Sequence, residues 1–180
     1  MTIRDATIQD AKQIHKLINS YAETERMLFA SLTSIYENLQ IFKVAELNGE
    51  VVGCCALKVL WKDLAEIKSL AVEESQFGKG IGRVLVAGCM EKAKKLGLKK
   101  VFTLTLEPEF FAKIGFVNVQ KESLPMKVWS DCTECPKQDH CDEIALECEN
   151  SCPAGGYRRW GLFLVSFYDG QDDRRTARRK

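Results

Sequence analysis

A β-hairpin is predicted around the dipeptide Asn48-Gly49, and it limits the folds that are open to this chain. The flanking runs, residues 42–47 and 51–60, are strand-like, and Asn-Gly readily adopts the positive φ angles of a tight two-residue turn. A third strand is predicted over residues 65–72, where the chain alternates before an acidic, polar stretch. The sheet therefore begins with antiparallel neighbours.

Two helices are predicted before the hairpin and one after the third strand. Apolar residues recur at three- and four-residue spacing after Asp10, which can cap a helix that continues to about Asn19. A second, short helix follows Ser31. Helical periodicity returns over residues 82–96, and Gly97 suits the left-handed position just past a helix end.

The remaining elements predict a mixed sheet. Strands are predicted over residues 101–106 and 116–119, and between them Pro108 begins a short helix that ends at Ile114. A last strand is predicted over residues 144–148. Because the strands begin as a hairpin and then alternate with helices, we expect an α/β fold with a mixed central sheet and helices on both faces.

Charge and chain length limit the class of partner. The 180 residues carry 26 basic and 25 acidic side chains, a balance that gives no overall field for gathering nucleic acid or an anionic membrane. Residues 1–5 lack the build of a secretion signal, and no apolar run approaches the ~20 residues that span a bilayer. We expect a cytoplasmic protein that binds a small molecule, with no nucleic-acid or membrane partner. The sequence does not fix the oligomeric state, and a homodimer is one option.

A glycine-rich loop lies between the third strand and the long helix. Residues 77–83 have the sequence Phe-Gly-Lys-Gly-Ile-Gly-Arg. Glycines let successive N–H groups turn toward one point, and the first helical turn adds unpaired donors and partial positive charge. We predict a pyrophosphate cradle, although one diphosphate rarely needs both Lys79 and Arg83. The alternative is a flexible connection without a ligand.

The loop fits acyl-coenzyme A better than other phosphate ligands. A Walker-type loop fits poorly, because no Lys-Ser/Thr pair follows Gly82, and a dinucleotide fingerprint belongs in the first parallel unit of a chain.

Three motifs, taken together, resemble the GNAT acetyltransferase superfamily. They are Glu-Ile-Lys-Ser-Leu-Ala-Val at 66–72, Gly-Lys-Gly-Ile-Gly at 78–82 and Phe-Phe-Ala-Lys-Ile-Gly-Phe at 110–116, and the resemblance extends over residues 3–122. Within the superfamily, residues 61–67, 106–111 and 124–132 are similar to stand-alone bacterial N-acetylglutamate synthases. The resemblance implies transfer of acetyl from acetyl-CoA to an amine. The leading acceptor is the α-amino group of L-glutamate, whose acetylation belongs to arginine biosynthesis.

The resemblance also implies a site. The expected cofactor-binding residues are Leu70, Ala71 and Val72 along the pantetheine arm and Gly78, Lys79, Gly80, Ile81, Gly82 and Arg83 around the pyrophosphate. Glu66 is the expected general base, because an amine attacks a thioester only when it is unprotonated. Strand alternation would place Glu66, Lys68 and Leu70 on one face. The alternative for Glu66 is a solvated strand residue.

Lys68 and Arg26 are the expected substrate-binding residues. Lys68 stands where the synthase-like relatives tend to have Arg, and Arg26 would compensate for Ala30, where they also place Arg. Phe77 and Phe111 replace the usual polar first loop residue and the tyrosine that often protonates the leaving thiolate. The acceptor stays open between glutamate, another amino acid, a polyamine and a protein lysine. A non-catalytic acetyl-CoA sensor is the other alternative.

Cysteines mark the carboxy-terminal part. Weak candidates for a zinc site are Cys132, Cys135, His140 and Cys141. The usual second ligand pair is missing, which favours reduced structural cysteines or a reversible disulfide over zinc. We expect one GNAT domain over residues 1–148, with a cysteine-rich segment at 132–152, and a partly mobile extension over 149–180.

Overall fold

A computed structural model of the protein describes residues 1–125, 135, 137 and 140–149. Its strands are β1 (Thr2–Asp5), β2 (Phe42–Leu47), β3 (Glu50–Trp61), β4 (Leu64–Val72), β5 (Lys100–Thr105), β6 (Val117–Asn118) and β7 (Ile144–Glu149). Its α-helices are α1 (Ala11–Ala22), α2 (Leu32–Glu37), α3 (Ile81–Lys95) and α4 (Pro108–Lys113). The strand order is β1-β2-β3-β4-β5-β7-β6, and β4 and β5 are the parallel pair.

The helices pack on opposite faces of this sheet. On one side, here called the α1 face, Ile14 of α1 and Ile35 of α2 pack on Val44 of β2. On the other side, the α3 face, Leu85 of α3 and Phe111 of α4 belong to a separate cluster. The predicted mixed sheet with helices on both faces is confirmed.

The hairpin also has its predicted turn. Asn48 and Gly49 have φ angles of 54° and 85°, as a two-residue turn between β2 and β3 requires. The structure adds β1, which the sequence did not predict. Four residues are too few to show a period, and β1 is defined by its antiparallel pairing with β2.

A bulge in β4 changes which face of the sheet the side chains near the carboxy-terminal end of the strand occupy. Cys54 of β3 pairs with Ala71, but Ala56 pairs with Lys68, so β4 holds an extra residue between them. Ser69 lies in this interval with a φ of 52°, in the left-handed region. Such a bulge interrupts the alternation of side chains along a strand.

The bulge corrects one prediction about the site. Leu70 packs with Ile67 in the cluster on the α3 face. Lys68 lies on the α1 face, because its cross-strand partner Ala56 belongs to the cluster there. The expectation that Glu66, Lys68 and Leu70 share one face is therefore wrong for Leu70.

Asp10 fixes the start of α1, but not in the way that the sequence indicated. It precedes α1 at the end of a short 3-10 turn, Ile8–Asp10, and its carboxylate makes no capping bond to α1. The carboxylate instead accepts bonds from the Arg4 guanidinium at 2.6 and 2.8 Å and from the Thr7 N–H at 2.6 Å. The bonds from Arg4, and then those from Thr7, lower the pKa of Asp10 from 3.8 to about 2 against the effect of burial.

We expect Asp10→Asn to lower the free energy of unfolding by about 2 kcal/mol at neutral pH. A carboxyl whose pKa is depressed by folding stabilises the folded state above its unfolded pKa, and this contribution is lost as the pH falls through about 2. Urea unfolding of both proteins between neutral pH and pH ~2 measures the difference, which should shrink toward the acid end. Glu50→Gln, at an exposed position, is the control. A difference that does not change with pH would contradict the assignment.

Candidate functional site

The parallel strands β4 and β5 separate beyond Glu66. Their pairs are Leu64 with Lys100, Ala65 with Val101 and Glu66 with Phe102. Between these two fully described strands, no later pair is formed, although β4 continues to Val72 and β5 to Thr105. The sheet therefore has a V-shaped opening with Glu66 at its vertex.

The β4 side of the opening presents backbone groups of Val72. The Glu73 N–H donates to the Val52 carbonyl at 2.9 Å. In an antiparallel ladder the bonding direction alternates, so Val72 directs its N–H and C=O away from β3. The Tyr21 hydroxyl of α1 bonds to both, donating to the Val72 oxygen at 2.7 Å and accepting from the Val72 nitrogen at 3.2 Å.

Glu66 is a buried carboxylate at the vertex of the opening. Only 8% of the residue is exposed, so it is not a solvated strand residue. Its cross-strand partner in β3 is Lys58, and Phe102 of β5 flanks it on the other side. Lys68 lies two residues further along the same face and is partly buried. The structure thus brings the expected base and one expected acceptor ligand together.

Arg26 lies in the connection between α1 and α2, and its side chain contacts Glu107 and Tyr21. Its Nη2 donates to Glu107 Oε1 at 3.0 Å, and its guanidinium carbon lies 5.0 Å from the centroid of the Tyr21 ring. Glu107 follows β5, so the ion pair joins the connection to the β5 side of the opening. Both side chains are substantially exposed, 39% and 64%, and the pair contributes little to stability.

The same connection also contacts the cysteine-rich segment. Glu25, in the left-handed region with a φ of 57°, has its Oε2 3.4 Å from Lys137 Nζ. Burial raises the pKa of the Glu143 carboxyl, while the charges of Lys121, Lys68 and Lys137 act in the opposite direction. Charges of both signs are therefore associated in this part of the molecule: Arg26 pairs with Glu107, and the charge of Lys68 acts on Glu143.

The glycine loop leads from β4 into α3. Gly78 and Gly80 have φ angles of 75° and 79°, and Gly80 directly precedes the first residue of the helix, Ile81. The Val84 N–H closes the first helical turn by donating to the Gly80 carbonyl at 3.2 Å. N–H groups earlier in a helix have no partner within it. This end of α3 is a fitting site for a phosphate.

The two cations of the loop have different positions. Lys79 Nζ donates to the Ser75 carbonyl at 3.1 Å and to Gln76 Oε1 at 3.0 Å. These hydrogen bonds stabilise the conformation of the loop. Arg83 lies in the first turn of α3 and is partly exposed. Lys79 thus belongs to the loop itself, and Arg83 to the helix that follows it.

Aromatic residues of α4 support the opening from the α3 face. Phe111 is 3% exposed and packs edge-to-face against Phe110 and Phe116, with centroid distances of 5.0 and 5.3 Å. A Cβ atom at Gly82 would lie 3.4 Å from the Phe110 ring, so α4 packs directly on the first turn of α3. Phe111 acts in packing and has no proton to donate.

The cysteines divide between core and surface. Cys54, Cys55 and Cys89 are buried free thiols, as predicted, and burial raises the pKa of Cys54 to about 12. Cys141 is exposed, with Lys121 Nζ 3.2 Å from its sulfur. In the part of the chain that the structure describes, no three His, Cys, Asp or Glu residues are grouped to hold a metal ion. Cys132, and the predicted extension from residue 150 onward, lie outside the described residues.

None of the described helices combines the length and the apolar composition needed to cross a bilayer.

Sequence reasoning missed Tyr21 and Glu107 as site residues. Tyr21 is the eleventh of the twelve residues of α1, where nothing local signals a contact with a strand 51 positions away. Glu107 belongs to residues 106–111, one of the motifs that resemble the synthases, but its partner Arg26 is 81 positions distant.

Comparisons with known sequences agree on one family. Residues 8–117 match the acetyltransferase (GNAT) family. The chain is 43% identical over 144 residues to an uncharacterized N-acetyltransferase of Chlorobaculum tepidum, covering 80% of this chain and 93% of that protein. It is 40% identical over 132 residues to the amino-acid acetyltransferase of Mycobacterium tuberculosis, covering 72% and 75%. The amino-acid acetyltransferase of Neisseria meningitidis is 32% identical over 127 residues, but the chain spans only 29% of it.

Solved structures with the same fold contain coenzyme A. Rv2747 from Mycobacterium tuberculosis, in complex with CoA and NLQ, has a TM-score of 0.72 and 33% identity, covering 83% of this chain and 99% of that one. N-acetylglutamate synthase from Neisseria gonorrhoeae, complexed with coenzyme A and N-acetyl-glutamate, has a TM-score of 0.75 and 28% identity. That match covers 82% of this chain but 34% of the synthase.

Proposed function

The chain belongs to the acetyltransferase (GNAT) family and is an acetyl-CoA-dependent N-acetyltransferase, and we propose that its acceptor is the α-amino group of a free amino acid. L-Glutamate is the leading candidate for that amino acid. The observation that carries this proposal is the buried carboxylate of Glu66 at the vertex of the opening, with Lys68 two residues further along the same face. The product of the glutamate reaction would enter arginine biosynthesis, and we expect the enzyme to act in the cytoplasm.

The β4 edge and the glycine loop would hold acetyl-CoA, which supplies the activated acetyl group. The N–H and C=O of Val72 suit the amides of the pantetheine arm, which can run along β4 as an extra strand would. The N–H groups around Gly80 and Ile81 suit the diphosphate, with Arg83 as a charged contact. Lys79 would help indirectly, by keeping the loop in shape.

Glu66 would accept the proton of the attacking amine. Amines of this kind are mostly protonated at neutral pH, and only the neutral form attacks the thioester. Leu70, whose N–H would polarise the thioester carbonyl, lies four residues beyond Glu66, about 13 Å along an extended strand. Several hydrogen-bonded waters in series would relay the proton over this distance. Since Phe111 cannot protonate the leaving sulfur, water is the acid for that step as well.

The pairing of Arg26 with Glu107, and of Lys68 with the field of Glu143, suits an acceptor that carries charges of both signs. Lys68 would bind a carboxylate as a point charge, and Arg26 would do so by exchanging its contact with Glu107. The carboxylates of Glu107 and Glu143 would in turn attract the ammonium group before it loses its proton. A wholly anionic or wholly cationic acceptor would leave one set of these charges without a partner.

An acceptor panel tests this function. Acetyl transfer from acetyl-CoA should be fastest to an α-amino acid, and Lys68→Gln should raise the acceptor KM about tenfold or more, because a bond to a charged group is lost. Lys62→Gln, at the exposed turn between β3 and β4, is the matched control and should not change KM. Faster transfer to polyamines or to protein lysine than to every α-amino acid would contradict the proposal.

A further inference from the structure

Tyr21 reaches from α1 across the α1 face and bonds to the backbone of β4 at a position where a cofactor arm is expected. Its hydroxyl is the partner of both outward-facing groups of Val72, at 2.7 Å from the oxygen and 3.2 Å from the nitrogen. We propose that Tyr21 competes with the pantetheine arm of acyl-CoA for Val72, so that the arm binds only when the tyrosine hydroxyl withdraws. This inference rests on the proposed position of acetyl-CoA along β4.

A phenol hydroxyl and an amide can each form hydrogen bonds with both the N–H and the C=O of Val72. An amide offers one donor and one acceptor, and the tyrosine hydroxyl offers both from a single oxygen. The Val72 N–H has one hydrogen to donate, which cannot serve two acceptors at full strength. An arm atom at hydrogen-bond distance from the Val72 nitrogen would overlap the space that the Tyr21 oxygen fills. The two groups therefore exclude each other.

The tyrosine is held in this position from its other side as well. The Arg26 guanidinium stacks over its ring at 5.0 Å and pairs with Glu107 at 3.0 Å. Burial raises the pKa of the Tyr21 hydroxyl, so it stays protonated and able to donate to Val72 at neutral pH. Tyr21 is thus the inner end of a row of contacts that runs from β4, through the α1–α2 connection, to the β5 side of the opening. We class it as a positioning residue, since it acts on the binding edge and not on the reacting atoms.

The position of Tyr21 at the end of α1 makes such a withdrawal structurally accessible. The helix ends at Ala22, and the Arg26 N–H closes it by donating to the Tyr21 carbonyl at 3.0 Å. Tyr21 itself packs at the margin of the α1-face cluster as a partly buried side chain. A rotation about its own side-chain bonds can release Val72 without disturbing the fully buried residues of α1, such as Ile14 and Ile18.

The experiment compares two ligands on three proteins. Calorimetric Kd values are measured for CoA and for adenosine 3′,5′-bisphosphate, which shares the nucleotide end but lacks the amide arm. Tyr21→Phe keeps the ring and its contact with Arg26 but removes the hydroxyl. We expect it to bind CoA about fivefold more tightly than the wild type, because the two bonds of the hydroxyl to Val72, with the net effect of about one hydrogen bond, no longer have to be broken. The Kd for the bisphosphate should not change, which also shows that the variant is folded.

Tyr36→Phe is the matched control, because Tyr36 lies on α2 with 42% of its surface exposed. It should change neither Kd. Unchanged or weaker CoA binding by Tyr21→Phe, or tighter binding of both ligands, would overturn the competition. The position of the cofactor is checked separately with Gly80→Val. If Gly80→Val binds CoA as the wild type does, the assumed cofactor site is wrong and the inference falls with it. If Gly80→Val binds CoA weakly while Tyr21→Phe shows no increase in CoA affinity, the competition alone is wrong.

Discussion

Glu66→Gln is expected to lower kcat by about 10²- to 10⁴-fold at neutral pH, the usual contribution of a positioned general base. Glutamine keeps the shape of the buried side chain but cannot take up the proton of the attacking amine. The Kd for CoA should stay unchanged, because Glu66 lies at the vertex of the opening, four residues before Leu70. Steady-state rates at saturating acetyl-CoA and acceptor measure the effect.

The pH dependence of the variant separates a lost base from a damaged fold. Without the base, the rate should follow the fraction of neutral amine in solution and rise steeply toward alkaline pH. Glu50→Gln, the same change at an exposed position of β3, should leave kcat and its pH profile as they are. If Glu66→Gln retains full turnover across neutral pH, the assignment of the base is wrong.

Gly80→Val is expected to weaken CoA binding by about 10- to 100-fold, the loss of one charge-assisted hydrogen bond or more. Gly80 has a φ of 79°, and a β-branched residue is a strong outlier at such an angle. An added Cβ would meet no atom within 4 Å, so the effect comes from the backbone conformation and not from a clash. When the backbone relaxes to negative φ, the N–H groups at the start of α3 turn away from the diphosphate.

The other end of the same helix provides the control. Gly97 follows α3 with a φ of 74°, and a Cβ there would also meet nothing within 4 Å. Gly97→Val should therefore carry a similar backbone cost, visible as a lower Tm, without weakening CoA binding. Equal losses of affinity in the two variants would mean that Gly80 acts through stability alone, and the cradle would be refuted.

Under the proposed function, the choice of acceptor would depend on charges that the fold assembles from distant segments. Arg26 and Lys68 are each near a carboxylate, Glu107 and Glu143 respectively. A cation that already has an anionic neighbour binds a substrate carboxylate less strongly than an isolated one, because part of its field is compensated. Selectivity at this site would accordingly arise from the arrangement of both signs and not from net charge.

Much of the local structure was determined by the sequence itself. The positive φ angles of Asn48, Gly49, Gly80 and Gly97 fall where the sequence required them, because these conformations depend on the residue in place. The apolar stripe of α1 likewise predicted which side of that helix is buried, and in α3 the same reasoning held for Leu85, Cys89 and Ala93 but was wrong for Leu96, which is exposed. The mixed sheet followed from these local signals, whereas β1 did not.

Tertiary structure alone decided how the site is assembled. The bulge at Ser69, which moves Leu70 to the α3 face, and the separation of β4 from β5 after Glu66 depend on pairing between strands. The residues of one strand alone do not show where such pairing shifts or ends. The contacts of Tyr21 with Val72 and of Arg26 with Glu107 join residues 51 and 81 positions apart. Conformational preferences act over a few neighbouring residues, whereas such contacts exist only once packing has brought remote segments together.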